Sequence, residues 1–202
     1  MEHNDTYLTI SSNAEGIFKD KGSKFIAYAY PVHTEEQIKV LVQNIKKEHY
    51  SARHHCYAYR LGYKGENFRA NDDGEPSGTA GKPILNQLLS ANLTNTLIVV
   101  VRYFGGTLLG VSGLINAYKH ATIDALQHAT IISEIIENLY HLEFEYPLQN
   151  AVMRVIKDEN LTVLKTNYET NCLLEVSIRL NKTDIALNKF SKIEGLKVSE
   201  VE

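Results

Sequence analysis

Tryptophan is absent, cysteine and proline are scarce, and neither charge sign dominates. The 202 residues hold two cysteines, four prolines, and 21 Lys/Arg against 24 Asp/Glu. Cys56 and Cys172 are too few and too widely separated for a disulfide framework or a zinc ribbon. A formal net charge of −3 argues against coating nucleic acid through bulk positive charge. The longest apolar run, Leu97–Val101, is far too short to cross a bilayer. The opening MEHNDTYL lacks the basic and apolar regions of a secretory signal. These absences lead to the expectation of a soluble cytoplasmic protein with no membrane partner.

What is present is ordinary globular composition, 44% hydrophobic and 22% charged, in a length that allows one large domain or two small ones. The charge is uneven. Residues 1–133 hold 13 Lys/Arg and 12 Asp/Glu, whereas 134–202 hold 8 and 12. Seven of eight histidines and nine of twelve tyrosines also fall in the first stretch. The spacing therefore predicts two domains, 1–132 and 133–202.

In the second domain, an alternating stretch up to Tyr146 is followed by Pro147 and a helical stripe of Leu148, Val152, Val155 and Ile156. Leu161–Tyr168 and Cys172–Leu180 alternate and read as a hairpin across Glu169, Thr170 and Asn171. A helix capped by Thr183 or Asp184 and a last strand from Leu196 complete the order β-α-β-β-α-β, which predicts a ferredoxin-like βαββαβ domain. The first domain opens with a hairpin turning at Asp20-Lys21-Gly22. A capping box of Thr34 and Gln37 then starts a helix bearing Ile38, Leu41, Val42 and Ile45. A strand near His55–Leu61, a polar loop from Gly62 to Thr79, a short helix, the apolar strand Thr96–Val101, and a helix from about Val111 to Gln127 follow.

Two stretches mix glycine with polar groups. Asn71–Pro83 packs Asp72, Asp73 and Glu75 with Ser77, Thr79 and three glycines, enough for a magnesium site or an anion nest. It reads equally as a tight surface loop turning at Asp73-Gly74. It is not a phosphate-binding P-loop, because Pro83 follows Gly81-Lys82. Arg102-Tyr103-Phe104-Gly105-Gly106 joins a buried strand to a helix, a place where backbone N–H groups and the helix dipole attract anions. Alternatively, the glycines only allow helix and strand to pack closely. The spacing is neither a dinucleotide fingerprint nor a nucleophile elbow, so no cofactor is expected. His54 and Cys56 lie on one strand face and His55 on the other, so they do not converge on zinc.

Four motifs taken together resemble the IMPACT family, in its bacterial YigZ-like branch: Gly22-Ser23-Lys24-Phe25; Ala52, His54 and Cys56-Tyr57-Ala58-Tyr59; the run Asp72 to Gly81; and Val99-Val100-Val101-Arg102-Tyr103-Phe104-Gly105-Gly106. They span residues about 15–125 in the family's order. The resemblance implies an α+β protein. Its first domain would be the α/β sandwich shared by a small-subunit ribosomal protein and the fourth domain of elongation factor G, including a left-handed crossover. The ferredoxin-like domain would follow. Ser112 stands where the family commonly has glycine, and Asn116 where it has a basic residue, which weakens phosphate binding at that helix start.

Two functions follow. The first is a non-catalytic regulator of translation binding RNA, the ribosome or a translation-associated protein. Its RNA- or anion-binding residues would be Lys24, Lys82, Arg102, Tyr103, Gly105, Gly106, Ser77 and Thr79, and its acidic second domain would suit protein contact or homo-oligomerisation. The second is a magnesium-dependent enzyme acting on a nucleotide or other phosphorylated or acyl substrate. There Asp72, Asp73 and Glu75 would hold the metal, Gly105-Gly106 the anion, and His54 would be the acid or base.

Overall fold

A computed structural model describes residues 5–168 and 171–201. Within it the chain divides into two compact units. Tyr7–Glu134 form one; residues from Ile135 onward, together with residues 5 and 6, form the other.

The first unit is built on a five-stranded sheet. Its strands are β2 (Ala14–Asp20), β3 (Ser23–Pro31), β4 (His54–Leu61), β5 (Asn67–Asn71) and β6 (Thr96–Tyr103), after a short β1 (Thr6–Ile10). The order is β2-β3-β6-β4-β5, every neighbour antiparallel. Central β6 is buried on both faces, which is why Leu97–Val101 reads as an unbroken apolar run rather than an alternation. Lys21 and Gly22 between β2 and β3 both have positive φ, the signature of a tight two-residue hairpin.

Helix α1 (Glu35–Glu48) covers one sheet face, packing Ile38 and Ile45 on Ile26, Tyr28, Val99 and Val101. The Thr34 hydroxyl accepts from the Gln37 N–H at 3.2 Å, the forward bond of the capping box, while the Gln37 side chain accepts from the N–H of His33, one residue before the cap. Helices α2 (Gly81–Ser90) and α3 (Gly110–His128) cover the other face against Phe25, Ala27, Cys56, Ile98 and Val100. β1 pairs with β7 (Ile131–Ile135) in a separate ribbon.

One sequence expectation fails here. The Gly62–Thr79 loop contains β5, which pairs with β4 at the sheet edge. Four of its five residues are exposed, so no apolar alternation announces it.

The second unit has strands β8 (Glu137–Phe144), β9 (Thr162–Tyr168), β10 (Cys172–Arg179) and β11 (Lys197–Glu200), with helices α4 (Gln149–Glu159) and α5 (Thr183–Phe190). The antiparallel order β11-β8-β10-β9 and the element order βαββαβ give the ferredoxin-like arrangement. Its core gathers Leu142, Phe144, Leu174, Val176 and Ile178 under Val152, Ile156 and Phe190. Thr183 is the first residue of α5 rather than its cap, its hydroxyl donating back to the Arg179 carbonyl. The Glu169-Thr170 part of the expected turn lies outside the described residues. Asp5 belongs with this unit: its carboxylate pairs with Arg179, and its carbonyl accepts from the Ile136 N–H at 2.8 Å.

The two glycines after β6 have different jobs. A Cβ on Gly105 would fall 1.9 Å from the Gly22 carbonyl carbon, so the β2–β3 turn and the chain leaving β6 touch backbone to backbone. Gly106 has φ +88 but open space around it. Gly105→Ala is expected to destabilise the protein by about 3 kcal/mol through overpacking. Gly106→Ala should cause a loss nearer 1 kcal/mol from backbone strain alone. Urea unfolding of the two variants measures the difference.

Candidate functional site

The acidic loop between β5 and α2 is wired inward. Asp73 and Gly74 both have positive φ, and the Asp73 N–H donates to the Asn71 side chain at 2.8 Å, an Asx turn. This turn sends the three carboxylates in different directions. Asp72 accepts from the backbone N–H groups of Gly78, Ala80 and Gly81 at 2.8, 3.0 and 2.8 Å. It thereby satisfies the start of α2, whose N-cap residue, Ala80, has no side chain able to cap it. Asp73 accepts from Lys46 Nζ at 2.8 Å and from the His55 N–H at 2.7 Å, on the α1 side of the sheet. Glu75 turns into the opposite layer, where its Oε1 accepts from Arg102 Nη1 at 2.7 Å and the Tyr118 hydroxyl at 2.8 Å.

The carboxylates therefore do not share a site. Among the described residues no group of three or more His, Cys, Asp or Glu could hold a metal ion. The magnesium constellation drawn from sequence spacing is corrected on this point: three acids within four residues diverge because the turn rotates the backbone between them.

Arg102 is likewise committed. Its side chain is 7% exposed, and the guanidinium lies 5.5 Å from the Phe25 ring centroid and 5.6 Å from that of Phe104. Its Nε–H has no acceptor among the described residues. A guanidinium so placed holds Glu75 and also borders the cleft above the cluster. Tyr118 on α3 completes the cluster, and burial pushes its phenol far above the usual range, so it stays a donor. The buried Cys56 thiol, 3.0 Å from the Asp72 carbonyl and 3.3 Å from the Tyr118 oxygen, is also pushed up by burial and is inert.

Above this cluster opens a cleft of about 460 Å³, lined among others by Arg53, His54, Glu75, Phe104, Leu108 and Val111. His54 bonds through Nδ1 to the Asp73 carbonyl at 2.9 Å, which fixes its ring at the cleft edge.

The other sequence-predicted residues scatter. Lys24 and Tyr103 pair across β3 and β6 and face α1, opposite Arg102. Ser77 and Lys82 are exposed, while Thr79 is buried with its hydroxyl on the Pro76 carbonyl at 2.7 Å. Gly105 and Gly106 are exposed at the turn, with the Gly105 N–H on Ser23 Oγ at 3.2 Å.

The sequence reading missed a second polar cluster. His49, at the end of α1, bridges the Tyr28 hydroxyl at 2.7 Å and the Tyr103 hydroxyl at 2.8 Å. Burial pushes the Tyr28 phenol up to about 12.

The geometry defines a mixed α/β unit with a preformed cleft, followed by a ferredoxin-like unit. The chain matches the Impact N-terminal domain family over residues 21–126. It is 33% identical to the IMPACT family member YvyE of Bacillus subtilis over 179 residues, covering 89% of this chain and 82% of that protein. To the IMPACT family member YigZ of Escherichia coli it is 34% identical over 160 residues, 78% of each chain. A crystal structure described only as that of a hypothetical protein aligns over 99% of both chains with TM-score 0.75 and 29% identity. The chain belongs to the IMPACT family. The near-equal identities to YvyE and YigZ do not single out the YigZ-like branch.

Two groups in the acidic loop's contacts make stability depend on pH. Burial holds the His55 imidazole below its usual 6.5, so its share of stability is complete above 6.5 and declines as pH falls toward the folded value. Burial alone would raise the Asp73 carboxyl, but the Lys46 and His55 N–H hydrogen bonds outweigh it and hold it below 3.8. Its contribution is complete above 3.8 and lost as pH falls through the folded value. Asp73→Asn should abolish the lower step. It should also widen the upper one, because the carboxylate that favours charged His55 is gone. Thermal melts from pH 7 to 3 read both.

Proposed function

We propose that this protein is a non-catalytic, translation-associated docking factor that meets its target with the cleft face of the first unit. Membership of the IMPACT family supports the class. The carrying observation is the internal wiring of the loop: Asp72, Asp73, Glu75 and Arg102 each hold a part of the protein, and together they build a preformed cleft with an exposed apolar rim. Groups so engaged position a surface; they are not aligned to move a proton or clasp a metal. The target is the ribosome, RNA or a translation-associated protein. The reading includes the finer likeness of the first unit to the superfold of a small-subunit ribosomal protein and the fourth domain of elongation factor G. Among the described residues no helix is long and apolar enough to cross a membrane.

Co-sedimentation of the full chain with ribosomes through a sucrose cushion, at low and moderate salt, tests this. Wild-type protein is expected in the pellet, with Leu108→Asp reducing the pelleted fraction at least tenfold. Leu108 is exposed, so stability should stay within about 0.5 kcal/mol. Absence from the pellet at every salt concentration, or equal pelleting by the variant, contradicts the reading.

A further inference from the structure

The cleft beside the turn between β6 and α3 is bordered by a donor without an acceptor. Arg102 lines it with a side chain only 7% exposed, and its buried Nε–H has no acceptor among the described residues. The other such donor, Arg60 Nε, belongs to a side chain that does not line this cleft and already bonds the Leu93 carbonyl. A buried donor left unpaired is costly, so the cleft calls for an acceptor oxygen.

A second feature calls for the same group. Helix α3 opens at Gly110 on the cleft wall, with no side-chain cap and no acidic residue in its first turn. Its first N–H groups lack intrahelical acceptors and carry the positive end of the helix dipole. There is open space where a Cβ on Gly110 would stand. The Gly105 N–H, by contrast, is spent on Ser23 Oγ.

The rest of the lining selects among acceptors. Glu75 is offset by Arg102, 2.7 Å away, and takes a further hydrogen bond from Tyr118. Arg53 adds a second positive charge. Two arginines against one glutamate leave the lining one positive charge, a match for a monoanion and short of a dianionic phosphate. His54 donates its Nδ1–H to the Asp73 carbonyl, so the neutral ring keeps Nε2 as an acceptor. That nitrogen suits an N–H beside the anion rather than another anionic oxygen. The remaining wall is apolar and open to solvent, with Leu108 82%, Val111 59% and Phe104 51% exposed. A nucleic-acid phosphodiester is also a monoanion, but it would set polar ribose against this wall. A carboxylate flanked by an N–H and an aliphatic side chain matches every part, and the last residue of a peptide chain is that group.

We propose that the cleft receives the C-terminal residue of a protein partner, its carboxylate held by Arg102, Arg53 and the N–H groups that open α3. Its aliphatic side chain lies against Phe104, Leu108 and Val111, and its amide N–H meets His54 Nε2. The proposal rests on the docking reading above and adds the partner's chemistry. It also explains the burial of Glu75 beneath the cleft: the glutamate fixes the Arg102 guanidinium before a ligand arrives, which lowers the ordering cost of binding.

N-acetyl-leucine titrated into the full chain, followed by backbone amide NMR, tests this. The Gly110, Val111 and Ser112 amide signals should shift with a dissociation constant of about 1 mM, as the size of the probe permits. N-acetyl-leucinamide, which lacks the charge, should bind at least tenfold more weakly. 4-Methylpentanoate keeps the carboxylate and side chain but lacks the amide, and should bind about threefold more weakly. Val111→Asp sets an acid in the first helical turn, where the fold tolerates it, and should weaken N-acetyl-leucine at least tenfold with the melting temperature unchanged. Equal binding of the amide shows that no anion is recognised, and equal binding of 4-methylpentanoate shows a site for free aliphatic acids. Either result overturns the proposal, as does tighter binding of uridine monophosphate or an absence of shifts at the start of α3. Ribosome pelleting in the same preparations separates the two failures: pelleting without probe binding leaves the docking reading standing and removes only this occupant.

Discussion

One buried ion pair organises the first unit. Arg102 on β6 and Glu75 in the loop before α2 are 27 residues apart in sequence and 2.7 Å apart in space, with side chains 7% and 3% exposed. Removing two charges from water is unfavourable unless each has its partner, so the pair forms only when strand, loop and helix α3, through Tyr118, arrive together. Truncating either partner leaves an uncompensated buried charge, at a cost of about 3–5 kcal/mol. The pair acts less as a source of stability than as a condition on the fold: the loop can take only the conformation that brings Glu75 to Arg102.

That condition propagates outward. With Glu75 fixed, the positive-φ turn at Asp73-Gly74 places Asp72 under the start of α2 and Asp73 against Lys46 and the His55 N–H on the other side of the sheet. One short acidic run thus ties together helices α1, α2 and α3. The Gly22–Gly105 contact anchors the opposite end of the turn after β6, so Phe104, Leu108 and Val111 form the rim of a cleft that exists before anything enters it. Preformed apolar surface of this kind lowers the ordering cost of binding.

Much of the architecture is legible in the residues. The Thr34–Gln37 capping box, the Lys21-Gly22 hairpin, the doubly buried Leu97–Val101 strand and the βαββαβ order all rest on local patterns, and local patterns survive folding. Edge strand β5 was not legible, because exposed Phe68 and Arg69 carry no periodic burial. The candidate site was legible in position but not in role. Glycines, acids and Arg102 in two motifs marked the right surface. Their spacing suggested groups free for an external phosphate or metal because the partner that neutralises Arg102 is remote in sequence. Opposite charges that cancel across a fold look, along the chain, like two separate binding sites. Tyr118, which completes the cluster, sits inside an ordinary helical stripe and gave no signal. His49 escaped notice for the same reason, as its two tyrosine partners come from β3 and β6.

The most direct test of this account is a double-mutant cycle on Arg102→Met and Glu75→Gln, read by urea unfolding. A pair that acts as a single condition on the fold requires each single variant to lose about 3–5 kcal/mol. The double variant should lose no more than either, a coupling of at least 2 kcal/mol. Small single effects that simply add would mean that the loop is held without the pair, and that the cleft does not depend on it.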